Sequence, residues 1–220
     1  GTDTDAGKTL VSAGILEAAN RLGKTTAAMK PLAAGSDMID GAQRNDDALM
    51  LQRHSSRPMP YDQVNPVLLT EAIAPHIAAS REGRRLSAER LVGFCRGAML
   101  QPLDLMLIEG AGGWRVPLNA TEYLSELPKR LQLPTILVVG MRLGCLNHAL
   151  LTVEAIRADG VPLVGWVANQ IDPKMDCYAE NLSSLKDRIR APLLAELPHL
   201  EQASAENAAK YMRMGVERLL

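Results

Sequence analysis

The chain has 220 residues and a formal net charge of −1, with 24 Lys and Arg against 25 Asp and Glu. That balance argues against a nonspecific nucleic-acid binder, which needs clustered positive charge, and an aromatic content of 3% leaves few platforms for stacking single-stranded bases. The 47% hydrophobic fraction is ample for one packed core, no apolar run approaches the ~20 residues that span a bilayer, and the three scattered cysteines (Cys95, Cys145, Cys177) make neither a disulfide framework nor a zinc pattern. One domain covering residues 1–220, in a reducing cytoplasm, is the expectation.

The chain opens on Gly1-Thr2-Asp3-Thr4-Asp5-Ala6-Gly7-Lys8-Thr9, which fits G-x-x-x-x-G-K-[ST] at every fixed position. The spacing has a physical reason. Glycines let the backbone wrap an anion so that consecutive N–H groups point inward. Lys8 brings a point charge to the terminal phosphates, and the Thr9 hydroxyl can ligate Mg²⁺. The following helix adds its positive end. A loop of this kind follows a buried strand, so a strand of roughly six residues is expected ahead of Gly1.

Leu10 to Leu22 reads as the helix after the loop, with Gly23 as its stop signal. A short strand, Thr25 to Met29, ends at Lys30-Pro31. Asn45 to Arg53 reads as helix, Arg57 to Pro66 as a proline-punctuated loop, and Ser87 to Met99 as an amphipathic helix. Leu105 to Ile108 is a continuous apolar run followed by Glu109-Gly110-Ala111-Gly112-Gly113, the pattern of a buried parallel strand. Helix at Tyr123 to Leu131 precedes a strand at Thr135 to Val139. Helix at Asn147 to Ala158 leads to a strand at Leu163 to Ala168. Then come helix at Ser183 to Ile189, a short strand at Leu193-Leu194 and a terminal helix at Ala203 to Leu220. Strands alternating with helices predict a doubly wound α/β fold, a mostly parallel sheet with helices on both faces.

In such sheets ligands sit at the carboxyl ends of the strands. The residues placed there are the phosphate loop, Lys30, Glu109 to Gly113, Gly140 to Asn147, Asn169 and Glu196 to Pro198. Glu109 ends a strand where a carboxylate can bind Mg²⁺ or hold its water. Asp46 or Asp47 could be a second ligand, or Asn45 or Asp46 could simply cap a helix. Lys30 could face phosphates or be a solvated surface lysine. Gly144-Cys145-Leu146-Asn147-His148 opens a helix whose N–H groups can receive a carboxylate. Cys145 and His148 do not read as a nucleophile–base pair, because no third group orients them.

Taken together, these stretches resemble the dethiobiotin synthetase family. They are the phosphate loop, Lys30-Pro31, Arg44-Asn45-Asp46-Asp47-Ala48, Val64-Asn65-Pro66, Glu109-Gly-Ala-Gly-Gly-Trp114, Leu143-Gly-Cys-Leu-Asn-His148 and Gly165-Trp-Val-Ala-Asn169, spread over nearly the whole chain in the family's order. The resemblance implies a P-loop domain that forms a homodimer with each active site at the subunit interface. It implies ATP- and Mg²⁺-dependent carboxylation and ring closure of 7,8-diaminononanoate in biotin synthesis. Thr9, Asp47 and Glu109 would surround Mg²⁺, selecting Asp47 over Asp46. Asp5, Ala6, Gly7, Lys8 and Thr9 would hold the nucleotide phosphates, with Asn169 and Pro198 toward the base. Thr4, Lys8 and Lys30 would serve the reacting end. Gly112 would let the diamine approach, and the amides of Gly144, Cys145, Leu146 and Asn147 would bind its carboxylate.

Departures from the pattern are Ala34, where relatives often carry a hydroxyl near the diamine, and Gln170 after Asn169. Tyr178 and Asn181 lie in a variable region and have no assigned part. Two rivals are weaker. A cobyrinate-type amide synthase needs a glutamine amidotransferase domain, for which the chain is too short. A partitioning-type ATPase switch carries a lysine at the loop's second position, where this chain has Thr2.

Overall fold

The computed structural model describes residues 1–220. In chain order the elements are α1 (Lys8–Arg21), β1 (Thr26–Met29), β2 (Leu32–Ala34), β3 (Asp37–Ile39), β4 (Ala42–Arg44), α2 (Asp46–His54), α3 (Tyr61–Val64), β5 (Val67–Leu69) and α4 (Pro75–Arg81). They continue with α5 (Ala88–Ala98), β6 (Leu105–Ile108), α6 (Glu126–Leu131), β7 (Thr135–Met141), α7 (Cys145–Ala158), β8 (Leu163–Gln170), α8 (Tyr178–Arg188), β9 (Leu193–Leu197) and α9 (Ala205–Leu219). The chain divides into two compact units. One comprises Gly1–Ala18, Gly112–Trp114 and Gln132–Leu220, and the other Ala19–Ala111 and Arg115–Leu131.

The first unit is built on three parallel strands in the order β7-β8-β9, with α7 and α8 as the crossovers. Crossovers of helical length are what parallel neighbours require. The strands read as continuous apolar runs because they are buried over most of their length, and Leu137, Val139, Trp166 and Ala168 are almost wholly covered. Ile156 of α7 and Leu185 of α8 join the same core. Small residues allow close helix approach. A Cβ on Gly215 of α9 would lie 2.6 Å from the Leu194 carbonyl oxygen, and one on Gly14 of α1 would lie 2.8 Å from Ala208 Cβ.

The second unit holds three two-stranded pairs: β1-β6 parallel, β2-β5 parallel and β3-β4 antiparallel. Met29 is in register with Ile108, so Lys30 and Glu109 leave neighbouring strand ends, and Glu109 N donates to Met29 O at 2.8 Å. The β3-β4 hairpin turns on Asp40-Gly41, both at positive φ (50° and 78°), the backbone that favours Asp-Gly in a two-residue turn. The Arg57–Pro66 stretch differs from the loop expectation by carrying α3. Pro60 caps it, as proline suits a helix start, and Val64 anchors it in the core. Strands β2 and β5, at three residues each, are too short to show a periodicity.

Candidate functional site

The phosphate loop lies in the first unit. Its beginning is bonded to β7: Thr2 N donates to Val138 O (2.9 Å) and Gly140 N to Thr2 Oγ1 (3.3 Å). Asp5 and Gly7 adopt positive φ (57° and 82°), which turns successive peptide groups toward one side. Helix α1 begins at Lys8, so Lys8 and Thr9 form its first turn. The Lys8 ammonium arches back over the loop and donates to Asp3 O at 2.8 Å. Arg142, just past β7, pairs with the Asp3 carboxylate at 2.8 Å across a half-exposed surface. Thr4 and Asp5 are exposed, whereas Ala6 is buried.

Asn169, near the end of β8, is buried and donates through Nδ2 to Ala6 O at 2.9 Å. A Cβ on Gly7 would fall 2.0 Å from that same Nδ2. Glycine is therefore required at position 7 both for its backbone angle and for room. Gly112 has φ 60°, and a Cβ on Gly113 would touch Thr2 O at 3.4 Å. Pro198 directly follows β9.

Helix α7 starts after Gly144, at φ 93°, and no side chain caps it. The first N–H groups of a helix lack intrahelical partners, so this end offers donors, but Cys145 N is already engaged, donating to Arg142 O at 3.0 Å. Cys145 is buried, and burial raises its thiol pKa, the opposite of what a nucleophile needs. Among the residues left without a part, Asn181 Nδ2 donates to Cys177 O (2.8 Å) at the start of its own helix. The Tyr178 hydroxyl is buried with no hydrogen-bond partner in range. Burial and the Glu196 carboxylate hold its pKa well above that of an ordinary phenol.

The second unit gathers Lys30, Asp47 and Glu109. Lys30 is 5% exposed, and its ammonium donates to Asp47 Oδ2 at 2.5 Å and Glu109 Oε1 at 2.8 Å. Burial works against the charge, but the Glu109 and Asp47 carboxylates outweigh it, so the Lys30 pKa stands above the ordinary lysine value. The solvated-lysine alternative is thus excluded for Lys30. Asn45 caps α2, its Oδ1 accepting from Ala48 N at 3.2 Å, which places Asp47 in the first helical turn.

Beside Asp47 opens a cleft of about 410 Å³, with Asp37, Asp46 and Asp47 on its walls. Ala34 lines it without a hydroxyl, but Ser36 and Thr70 bring hydroxyls to the same cleft. The Ser36 hydroxyl donates to Gln43 Oε1 at 2.9 Å.

No group of three or more His, Cys, Asp or Glu side chains that could hold a metal forms in the structure. The Asp47–Glu109 pair nonetheless converges on a single cation position, where the Lys30 ammonium now stands. Mg²⁺ is usually held by one or two carboxylates together with substrate phosphates. This donor pair therefore fits the ion that the phosphate loop implies.

Comparison with known proteins places the chain in a family. A family model described as an AAA domain matches residues 1–207. The chain is 58% identical over 212 residues to the ATP-dependent dethiobiotin synthetase BioD of Cellvibrio japonicus, covering 96% of this chain and 92% of that protein. It is 54% identical over 202 residues to the protein of the same name from Marinobacter nauticus, covering 91% and 86%. Among solved structures, the septum site-determining protein MinD of Pyrococcus horikoshii, complexed with Mg-ADP, superposes with a TM-score of 0.60 at 16% identity, covering 99% and 93%. A ParA family ATPase from Chlorobium tepidum gives 0.54 at 15%, covering 97% and 88%. At such identities the superpositions speak for the fold alone, and that fold is the P-loop α/β fold read from the strand and helix order.

Proposed function

Because the chain belongs to the ATP-dependent dethiobiotin synthetase family, and is accordingly an ATP-dependent ligase, we propose that residues 1–220 act as one carboxylase domain. It joins 7,8-diaminononanoate and CO₂ at the expense of ATP, giving dethiobiotin, ADP and phosphate. The observation that carries this reading is the buried Lys30 ammonium between Asp47 and Glu109. Burying the charged Lys30 and Glu109 is costly unless they serve one another or a ligand.

In the proposed sequence a neutral substrate amine attacks CO₂ and loses a proton, leaving a carbamate. A carbamate oxygen attacks the γ-phosphate and ADP departs, which makes a carbamic–phosphoric anhydride. The second amine attacks the anhydride carbonyl carbon, a C–N bond forms, phosphate leaves and the cyclic urea closes. The residues position charge and perform no covalent chemistry, as is usual in phosphoryl transfer. Asp5 to Thr9 cradle the phosphates, and Lys8 exchanges its hold on Asp3 O for them. Lys30 neutralises the carbamate and the transferring phosphoryl group, and Thr4 lines the reacting end.

Asp47, Glu109 and the Thr9 hydroxyl are the donors this reading gives to Mg²⁺, which supplies charge neutralisation to the phosphates when bound. Asn169 holds the loop through Nδ2, and the reading assigns its Oδ1 to the amino group of adenine, with Pro198 nearby. The cleft beside Asp47 has three carboxylates on its walls and a volume suited to a small ligand, about 410 Å³. Those properties suit a diamine, and the reading gives Gly112 the part of letting the diamine approach. The amides of Gly144 to Asn147 take the substrate carboxylate, from the second subunit of a homodimer. No helix is long and apolar enough to cross a membrane. We place the enzyme in the cytoplasm, with neither nucleic acid nor membrane as a partner.

The test is fixation of labelled bicarbonate into acid-stable product, with ATP, Mg²⁺ and the diamine each left out in turn. Label fixed only when all three are present is the expected result. ATP hydrolysis without the diamine, and no fixation, would replace this reading with that of an ATPase switch.

A further inference from the structure

The Val64-Asn65-Pro66 stretch has no part in the chemistry above, yet its asparagine is 3% exposed and fully engaged. Asn65 Nδ2 donates to Lys30 O at 2.7 Å and to Val67 O at 3.3 Å. Asn65 Oδ1 accepts from the Tyr61 hydroxyl at 3.2 Å. That hydroxyl in turn accepts from Asn45 N at 2.8 Å. Asn45 is the cap of α2, two residues before Asp47, and its own Nδ2 donates to Gly35 O at 2.9 Å. On the other side, Lys30 N donates to Val64 O at 2.7 Å. The Tyr61 ring is held by the Arg44 guanidinium, 4.2 Å from its centroid.

One tyrosine hydroxyl therefore joins the main chain at the root of Lys30 to the main chain at the root of Asp47. These bonds bridge separations of 35, 4 and 16 residues. They leave the Lys30 side chain to its carboxylates and fix only where it starts. A buried network of this kind specifies geometry when every member is bonded. We infer that Asn65 and Tyr61 are positioning residues. They set the offset of Lys30 from the Asp47 turn, acting through Lys30 and not on the substrate.

This inference rests on the proposed role of Lys30, so the experiment separates the two. The full chain is prepared as wild type, Tyr61→Phe, Lys30→Ala and the double variant. Turnover with saturating substrates, ATP-analogue affinity by calorimetry and the melting temperature are then measured. Tyr61→Phe keeps the ring and its Arg44 contact. It is expected to lower kcat roughly tenfold, the order expected when a catalytic group is slightly misplaced. Analogue affinity should stay within about twofold. In the Lys30→Ala background the same substitution should cost nothing further, since a residue acting through another has no effect once that other is gone.

An equal loss in both backgrounds, unchanged turnover, or analogue affinity falling in step with kcat overturns the positioning role. Wild-type turnover in Lys30→Ala alone overturns the reading of Lys30 itself. If Lys30→Ala turns over too slowly to resolve the cycle, the split between kcat and analogue affinity in Tyr61→Phe decides. If Tyr61→Phe melts early, Asn65→Ser, which spares the ring, is held to the same expectations.

Discussion

Replacing Lys30 with methionine tests the counter-ion role of this residue apart from the catalytic role proposed for it. Methionine keeps most of the buried stem and removes the ammonium. The Glu109 side chain is 2% exposed, and removing one partner of so buried a pair costs about 3–5 kcal/mol. The Asp47 side chain is 46% exposed, so water screens it and its share is at most about 1 kcal/mol. Taking the low end, about 3 kcal/mol at ~2–4 °C per kcal/mol for a chain of this size, the melting temperature should fall by about 6–12 °C. Two carboxylates stripped of their cation should then recruit a divalent ion without any nucleotide. An ion binding with a Kd of about 1 mM restores about 1.4 kcal/mol at 10 mM. Scanning calorimetry of both proteins with and without 10 mM Mg²⁺ reads this directly. The wild type should gain little, because Lys30 already fills the position. If the variant melts with the wild type, or if Mg²⁺ raises both equally, the ammonium is not standing at a cation site.

Three further outcomes are expected. Glu109→Gln should raise the Mg²⁺ concentration needed for half-maximal turnover by about tenfold or more, since a neutral amide is a poorer ligand for a hard cation; an unchanged metal titration would make Glu109 structural. Gly7→Ala should abolish ATP binding measured by calorimetry, because its Cβ would fall 2.0 Å from Asn169 Nδ2 at a φ of 82°; retained affinity would show that the loop does not need this geometry. Burial pushes the Cys95 thiol up to about 12 from 9.0, so its contribution to stability is intact below pH 9 and is lost as pH rises toward 12. At pH 8 iodoacetamide should label exposed Cys177 and spare Cys95, which mass spectrometry checks, and equal labelling would contradict the burial.

How much of this was legible in the residues depends on the kind of signal each carried. The phosphate loop is contiguous, and its glycines answer to a local requirement, so Gly7 could be read without neighbours. Strands β7 and β8 announced themselves as apolar runs because both their faces are covered, whereas the equally apolar β6, read as a buried strand, is only half-buried along its length. The β3-β4 hairpin carried a visible Asp-Gly turn signal, but strands of three residues gave no alternation to accompany it. Lys30 was ambiguous because a lysine at a strand end looks the same whether water or two carboxylates surround it. Only the register of Met29 with Ile108 brings Glu109 beside it. Tyr61 was silent, and Asn65 stood out only within the Val64-Asn65-Pro66 stretch with no part assigned to it, for a related reason. Their partners lie at separations set by the tertiary path of the chain, and no periodicity encodes a hydrogen bond to a carbonyl 35 residues away.

The way Lys30 is held also accounts for the choice of lysine. Its main chain is bonded on both sides, N to Val64 O and O from Asn65 Nδ2, so the root of the side chain cannot drift. Its head is held by charge, through one oxygen from each of two carboxylates. Arginine would present a rigid fork that grips a carboxylate bidentately and would tend to keep it. An ammonium is a point charge on a flexible stem, and it can exchange one anionic partner for another at little geometric cost. If, as proposed, Lys30 neutralises its own carboxylates before ATP arrives and a transferring phosphoryl group afterwards, a fixed root and a replaceable contact serve it better. On the role proposed for Lys30, its pairing with Glu109 and Asp47 is the resting arrangement of a charge that moves during the reaction.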